Sequence, residues 1–337
     1  MSNKVIAGYV NIHDKGGLIS EDIRKMTHIN LAFGHVDKGE IRVDDGGILA
    51  RLEEIRHINP QIKISLSLVG KTGADFPVGS ATKEGRIKIA SSCAEVIRQY
   101  RLDGIDLDWE YPCCPENYCE ATPEDKYNFT LLCKEIRRVL NQMEGKKLLT
   151  IAAGGDRYYT DSTQMDQVQE YLDLVYIMTY DLRCGFHSLT GHHTNLFTAT
   201  GDIFRTSCDE AVKVFMEAGV PKEKIVIGAA FYSRKWEGVP NRYNGFLQYT
   251  KNSCTYGPCY HELIEKYINK NGFTRYWDDE CKAPYLFDGS TFISYDDPQS
   301  LNCKVEYIKK KDLAGIFYWE HDADYTHTLL DAIYKSY

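Results

Sequence analysis

Eight short apolar segments, most of them followed by a helical pattern, constrain the fold of this chain more than any other feature. Several are apolar at successive positions, which is typical of parallel strands that are covered on both faces. Eight alternations of strand and helix predict an α/β protein built as a (β/α)₈ TIM barrel. The predicted strands are Val5–Val10, His28–Gly34, Lys63–Val69, Gly104–Glu110, Leu148–Ala153, Leu174–Tyr180, Lys224–Tyr232 and Leu313–Glu320.

One stretch of the chain, residues 237–299, does not fit this repeat. It holds short β-like pieces and a helical pattern around Tyr260–Lys270. We interpret it as a small α+β insertion domain between strand seven and strand eight, with the barrel formed by residues 1–236 and 300–337. Without it, the chain is close to the length of about 250 residues that is typical of such barrels. The alternative, an open doubly wound sheet, would require a Gly-rich phosphate loop after strand one, where the sequence reads YVNIHDKGG.

Helix boundaries are marked by residues that favour caps and stops. The spacing of apolar residues predicts a helix over Lys83–Tyr100, which places Ile87, Ala90, Ala94 and Ile97 on one face. It predicts another over Pro123–Met143, with Thr122 as its N-cap. A third helix is predicted over Ser207–Gly219, because Gly and Pro follow its last apolar position.

The most informative segment for chemistry is LDGIDLDWEYP, at residues 102–112. Alternate residues of a strand face the same side, so Asp106, Asp108 and Glu110 share one face and the apolar residues between them share the other. In a barrel whose helices cover the apolar face, the three acids point inward and climb toward the carboxyl end, where substrates bind.

Three inward carboxyl groups cannot all ionise cheaply in a low-dielectric interior. At least one is expected to have a raised pKa, and Glu110, nearest the rim, is the candidate general acid. Two alternatives are an exposed acidic edge strand and a metal site built from three carboxylates. A metal site usually recruits histidine, and no HxH or HExxH pattern stands here, so we expect no metal ion or other cofactor.

Charge and hydropathy exclude some partners. Acidic residues outnumber basic ones, 48 to 40, which disfavours a nucleic-acid partner. No apolar run approaches the about 20 residues of a membrane span, so no membrane partner is expected. The start, MSNKVIAGYV, has no signal-peptide pattern, which indicates a cytoplasmic protein as written, or an extracellular one if the N-terminus has been trimmed.

The 11 cysteines admit three interpretations. Cys113, Cys114 and Cys119 crowd one loop, and Cys254 and Cys259 bracket CTYGPC. A loop disulfide or a metal site is possible there. Free thiols are favoured over both, because no CxxC pair with a partner pair is present.

The segment DGIDLDWE resembles the DxxDxDxE signature of glycoside hydrolase family 18, the chitinase family, through Asp103, Asp106, Asp108 and Glu110. The resemblance extends over nearly the whole chain. IAGYV, NLAFG, MTYD, IGAAFYSRKW and GIFYWEHDAD resemble the family's first, second, sixth, seventh and eighth strands, and FISYDDPQSLNCKVEYI resembles the end of its insertion domain.

The resemblance implies a chitinase that uses a substrate-assisted, retaining mechanism on β-1,4-linked N-acetylglucosamine. Glu110 would be the acid and then the base. Asp108 would orient the 2-acetamido N–H, Asp106 would share a proton or hydrogen bond with Asp108, and Tyr180 would hold the acetamido carbonyl. Asp103 would support the strand.

The resemblance also implies a set of sugar-binding residues. Asp181 and Arg234 would hydrogen bond to the sugar, and an apolar floor and walls would be shaped by several aromatic residues and a methionine. The implied substrate-binding residues are Tyr9, Phe33, Gly70, Tyr111, Met178, Asp181, Tyr232, Arg234 and Trp319. One departure is Ser67-Leu68-Val69-Gly70, where the family usually has Ser-x-Gly-Gly; a side chain at Val69 could narrow the cleft.

The implied partners are chitin or N-acetylglucosamine oligosaccharides, bound by a monomer. Two other functions use the same fold. One is an inactive chitin-binding lectin, in which the terminal acid of the motif is typically replaced, whereas Glu110 is present here. The other is an endo-β-N-acetylglucosaminidase acting on glycoprotein glycans or peptidoglycan.

Overall fold

The computed structural model describes residues 4–14, 17–115 and 120–337. Within these ranges, fourteen strands and eleven α-helices form two sheets and the helices that pack against them. The strands are β1 Val5–Asn11, β2 His28–Asp37, β3 Glu40–Arg42, β4 Lys63–Gly70, β5 Gly104–Leu107, β6 Leu148–Gly154, β7 Leu174–Met178, β8 Ile225–Ala230, β9 Tyr232–Glu237, β10 Thr255–Cys259, β11 Thr274–Asp278, β12 Ala283–Phe287, β13 Thr291–Ser294 and β14 Gly315–Trp319. The helices are α1 Ser20–Lys25, α2 Leu52–Ile58, α3 Asp75–Ala81, α4 Lys83–Tyr100, α5 Asp125–Leu140, α6 Arg157–Asp161, α7 Met165–Val168, α8 Cys208–Glu217, α9 Tyr260–Glu262, α10 Pro298–Lys311 and α11 Thr328–Ser336.

The first sheet is a closed barrel of eight parallel strands, as predicted. Its order is β1-β14-β8-β7-β6-β5-β4-β2, and β1 pairs with β2 to close it, while β3 adds to β2 as an antiparallel extension. The predicted doubly wound alternative is therefore wrong. A second, antiparallel sheet has the order β10-β9-β13-β12-β11.

The chain passes from the barrel to the second sheet through a single residue. The predicted strand Lys224–Tyr232 covers two elements, because β8 ends at Ala230 and β9 begins at Tyr232. Between them, the backbone N–H of Phe231 donates to the carbonyl of Trp319 at 2.8 Å. The second sheet thus begins five residues before the predicted insertion. The division into residues 1–236 with 300–337 and residues 237–299 stays a prediction.

The predicted helices form with altered ends. Helix α4 has the predicted bounds, but Ile87 is 38% exposed and lies outside the buried face. The N-cap prediction at Thr122 is wrong: its backbone N–H and hydroxyl both donate to the Asp125 carboxylate, and α5 begins at Asp125. Ser207 does cap α8, since its hydroxyl accepts from Glu210 N–H at 3.2 Å.

Two apolar cores stabilise the barrel. The larger one lies between the barrel strands and the surrounding helices. The smaller one fills the barrel interior and includes Tyr9, Tyr176, Met178 and Phe317. Among the described residues, none of the helices combines the length and the apolar character that a bilayer crossing requires.

In the two loops that are rich in cysteine, the cysteines that the structure describes carry free thiols. These are Cys113, Cys114, Cys254 and Cys259. Cys119 lies outside the described residues, so the suggested pairing within its loop is not addressed by the structure.

Candidate active site

The three alternating acids lie at the carboxyl end of β5, inside the barrel. Regular pairing of β5 ends at Leu107, before the predicted Glu110, although the Asp108 N–H still donates to the Leu68 carbonyl at 2.9 Å. On the opposite face Trp109 is buried, with its ring stacked on Phe76 at 5.4 Å. Because β5 lies between β4 and β6, the edge-strand alternative is wrong.

Asp106 is fully buried and is held by three hydroxyl donors from three other strands. Its Oδ2 accepts from Tyr9 Oη and from Ser67 Oγ, each at 2.8 Å, and its Oδ1 accepts from Thr150 Oγ1 at 2.6 Å. Burial raises the pKa of Asp106, and the three hydrogen bonds oppose that rise. The carboxyl group is therefore fixed in position at the base of the acidic ladder.

Asp108 and Glu110 interact with one another above Asp106. Burial raises the pKa of Asp108 well above its ordinary value, and the neighbouring charges of Glu110 and Asp106 raise it further. Desolvation of its carboxyl group also raises the pKa of Glu110, although part of this residue remains exposed to solvent. Asp108 Oδ1 is buried, and no residue that the structure describes forms a hydrogen bond with this oxygen. The pair thus retains a proton at pH values where an isolated carboxyl group has lost it.

Tyr111 directly modulates Glu110. A hydrogen bond from the Tyr111 hydroxyl stabilises the Glu110 carboxylate and lowers its pKa, opposing the effect of burial. The peptide bond between these two residues is cis, as are those of Ala32-Phe33 and Trp319-Glu320.

Replacing Tyr111 with phenylalanine is expected to raise the pKa of Glu110, because the carboxylate loses a donor that favours its ionised form. The protonated form of Glu110 then persists to higher pH. We expect an NMR titration of the Glu110 carboxyl group to give a higher pKa in Tyr111→Phe than in the wild type. Tyr127→Phe, at an exposed tyrosine of α5, should leave this pKa unchanged, and an unchanged or lowered pKa in Tyr111→Phe would contradict the assignment.

Tyr180 lies next to the acidic pair just beyond the end of β7. Burial of its phenol raises its pKa well above the ordinary value, and the charges of Asp108 and Glu110 add to this rise, so it remains an O–H donor. Its ring fits against Gly228 of β8, where an added Cβ would lie 2.8 Å from Tyr180 Cε1. The absence of a side chain at Gly228 thus sets the position of the phenol.

A charged pair forms the wall beside Tyr180. Arg234 donates to both carboxylate oxygens of Asp181, with Nε–Oδ1 at 2.6 Å and Nη2–Oδ2 at 2.5 Å. Burial alone would raise the pKa of Asp181, but its contacts with His193 and Arg234 lower it well below the ordinary value. Asp181 is therefore an ionised acceptor that stays in place.

Two residues of this wall were not identified from the sequence. His193 is buried, and its Nδ1 lies 3.5 Å from Asp181 Oδ1. Tyr256 of β10 is 69% exposed, and the Arg234 guanidinium lies 3.7 Å from its ring centre. The segment GHH at residues 191–193 shows that a histidine is present but not that it contacts Asp181. Nothing in the sequence around Tyr256 indicates a cleft.

The predicted apolar floor does come together. Phe33 and Trp319 stack with ring centres 5.4 Å apart, and Tyr9 lies 5.7 Å from Trp319. Tyr232 packs edge-on against Tyr180 at 5.9 Å, and the half-exposed rings of Phe33 and Trp319 join the cluster that contains Met178. These residues surround the mouth of the barrel above the carboxyl groups.

Gly70 is placed differently from the other predicted binding residues. It pairs with Val36 at the end of β4, and an added Cβ would lie 2.5 Å from the Thr72 carbonyl oxygen. This close approach explains the glycine by backbone packing. Val69, the departure from the family pattern, pairs with His35 and is partly exposed. A role for Gly70 in substrate binding stays a prediction.

Among the residues that the structure describes, two groups have the geometry to hold a metal ion. They are Asp22 with His321 and His327, and His192 with Asp278 and Cys281. Neither includes the carboxyl groups that follow β5.

Comparison with known proteins places this geometry in a family. Residues 5–324 match the family described as Glycosyl hydrolases family 18. The chain is 34% identical to Chitinase A1 of Niallia circulans over 90% of this chain, and it spans about half, 48%, of that relative. It is 28% identical to Chitinase B of Serratia marcescens, over 89% of this chain and 74% of the relative.

A solved structure is similar along the whole length. A family 18 N-acetylglucosaminidase from Paenibacillus barengoltzii has 51% sequence identity and a TM-score of 0.97, over 99% of this chain and 100% of that one. The family match over most of the chain and the shared barrel lead to one conclusion: the chain belongs to the glycosyl hydrolases of family 18.

Proposed function

We propose that this protein is a chitinase that hydrolyses β-1,4 linkages between N-acetylglucosamine units of chitin or chito-oligosaccharides, with retention of the anomeric configuration. The observation that carries the proposal is the pair of Asp108 and Glu110. The two carboxyl groups share a site at the cleft, and burial raises both pKa values. A carboxyl group kept protonated beside a bound sugar is suited to general acid catalysis.

The first step needs a proton donor and a nucleophile. Glu110 donates its proton to the glycosidic oxygen as the bond to the anomeric carbon breaks. The carbonyl oxygen of the substrate's own 2-acetamido group attacks that carbon, which gives an oxazolinium intermediate. The chain then needs no carboxylate nucleophile of its own.

Asp108, Asp106 and Tyr180 prepare this attack. Asp108 accepts the acetamido N–H, and it stabilises the positive charge that develops on the ring. Asp106 would share a proton or hydrogen bond with Asp108, and its three hydroxyl donors fix its position. The Tyr180 hydroxyl donates to the acetamido carbonyl and fixes it near the anomeric carbon, a positioning role.

The second step reverses the proton transfer. Glu110, now a carboxylate, takes a proton from water as the water oxygen attacks the anomeric carbon and opens the oxazolinium ring. The acetamido group is regenerated, and the product has the original configuration. Asp181 and Arg234 would hydrogen bond to the sugar from the wall, while Tyr9, Phe33, Tyr111, Met178, Tyr232 and Trp319 would bound it.

A second candidate function is the release of single N-acetylglucosamine units. It is favoured by the 51% identity to the Paenibacillus barengoltzii protein that is described as an N-acetylglucosaminidase. The two functions share the chemistry and differ in where the chain end lies in the cleft.

The test is the product profile from chitohexaose, measured by mass spectrometry over time. Chitobiose, chitotriose or longer oligomers as first products are expected for a chitinase, whereas N-acetylglucosamine with chitopentaose would indicate the second function. Glu110→Gln serves as the matched inactive control. Binding of the hexamer without any product from the wild-type protein would overturn both and favour a lectin or a glycan-specific hydrolase.

A further inference from the structure

A histidine and carboxylate cluster lies outside the cleft, between the first and last helices of the barrel. Asp22 belongs to α1, His321 follows β14 by two residues, and His327 immediately precedes α11. Asp22 is fully buried, His321 is nearly so, and His327 is 27% exposed at its side chain. Since β1 and β14 are neighbours, the cluster joins the two ends of the chain.

One possible ligand atom of each residue lies within 4.8 Å of the other two, and the point between these three atoms is the common centre. Asp22 Oδ2 lies 2.7 Å from His327 Nδ1 and 3.5 Å from His321 Nε2. Bonds of about 2.0–2.2 Å in a tetrahedral site would separate ligand atoms by about 3.3 Å. The His321 contact agrees with this separation, and the shorter His327 contact would have to lengthen by about 0.6 Å.

Two of these atoms have no hydrogen bond. Neither Asp22 Oδ2 nor His327 Nδ1 makes a hydrogen bond to another residue that the structure describes, and both atoms are buried. Their 2.7 Å contact is an ion pair when His327 is protonated. When His327 is neutral, a buried carboxylate oxygen without a donor is costly, and a cation at the common centre would remove this cost.

The neighbours of His321 can hold the tautomer that a metal ion requires. The Tyr318 hydroxyl donates to Met26 Sδ at 3.5 Å, so its oxygen, 3.2 Å from His321 Nδ1, can accept the Nδ1 proton. Without an ion, Nε2–H donates to the Gly17 carbonyl at 3.4 Å. A bound ion would replace this proton at Nε2 and leave the proton on Nδ1, since outer partners fix the tautomer of metal-bound histidines.

The surroundings supply a further oxygen and balance the nearest positive charge. The Gly17 carbonyl oxygen lies 3.4 Å from His321 Nε2, at the separation expected for a fourth ligand. Lys25 approaches the other oxygen of Asp22 at 3.4 Å, but it is held more closely by Asp331, at 2.5 Å. The positive charge is thus directed away from the common centre.

We propose that Asp22, His321 and His327 bind one divalent transition-metal ion, of which Zn²⁺ is the best match to two imidazoles and a carboxylate. The ion would connect the first and last βα units of the barrel. It is separate from the proposed catalytic chemistry, and its consequence is stability, because an ion that binds only the folded state raises its free energy of unfolding.

The test is zinc binding to the chelator-stripped protein, measured by competition with a chromophoric chelator and by metal analysis after gel filtration. One zinc ion per chain and a higher Tm with Zn²⁺ are expected. His327→Asn retains a residue that tolerates the left-handed backbone of His327, at φ +59°. It should weaken zinc binding at least about 10-fold, since it removes a ligand.

Two further variants complete the design. His321→Gln should weaken binding in the same way, and His57→Asn, at an exposed histidine of α2, should bind zinc like the wild type. No retained zinc in the wild-type protein, or equal binding and an equal Tm increase in wild type and His327→Asn, would overturn the proposal. The second result would direct attention to the His192 group.

Discussion

Replacing Glu110 with glutamine is expected to lower kcat on chitohexaose by about 10²–10⁴-fold, the usual contribution of a general acid. Glutamine has nearly the same shape but carries no transferable proton at neutral pH. Since Glu110 is exposed to the cleft rather than packed in a core, the variant should fold normally. The measurement is a steady-state rate with reducing-end detection, together with calorimetric binding of the hexamer.

A matched control for this loss lies in the same motif. Asp103 is at the opposite end of β5, where its carboxylate accepts from the Ile64 N–H at 3.0 Å and lies 3.8 Å from Arg56. Asp103→Asn should keep kcat within a few-fold. If Glu110→Gln keeps wild-type turnover, or if both variants lose activity equally, Glu110 is not the acid.

The second large effect is expected from the substrate. An oligosaccharide in which each 2-acetamido group is replaced by hydroxyl, such as cellohexaose, should be cleaved at least about 10³-fold more slowly than chitohexaose. The internal nucleophile is then missing, and well-placed intramolecular groups reach effective concentrations of about 10⁵–10⁸ M. The measurement is product formation by mass spectrometry over long incubation.

Failure of the analogue to bind would give the same result for another reason. Cellohexaose is therefore also tested as a competitor of chitohexaose hydrolysis, and an inhibition constant gives the concentration at which it fills the cleft. Hydrolysis of cellohexaose at a concentration that fills the cleft, at a rate near that of chitohexaose, would exclude the substrate-assisted mechanism and require a carboxylate nucleophile.

The acidic ladder could be predicted because strand periodicity acts locally. The two-residue repeat put Asp106, Asp108 and Glu110 on one face, and the structure places all three at the inner face of the barrel. The eight parallel strands were predicted from another local signal, short apolar runs that alternate with helical patterns. The three hydroxyl donors to Asp106 come from positions 39 to 97 residues away, so no local pattern indicates them.

The wall of the cleft was predicted less completely. Arg234 reaches Asp181 across 53 residues, and it can do so only because the chain leaves the barrel after Ala230. The apolar run Lys224–Tyr232 gives no sign of this change of sheet, since both of its parts are buried. The helix N-cap at Thr122 failed for a local reason: the Thr122 hydroxyl donates to the Asp125 carboxylate instead of accepting from a backbone N–H of the first turn.

The single-residue passage at Phe231 has a consequence for how a sugar chain enters. A second sheet joined through a long linker could swing away and close over its ligand. Here the connection between the sheets is the single residue Phe231, whose N–H donates to the Trp319 carbonyl. Just beyond it, Arg234 forms two hydrogen bonds with Asp181 of the barrel. The cleft is thus preformed, so under the proposed function the sugar chain adapts to the protein when it binds. Part of the binding free energy would then be available to distort the sugar toward the transition state.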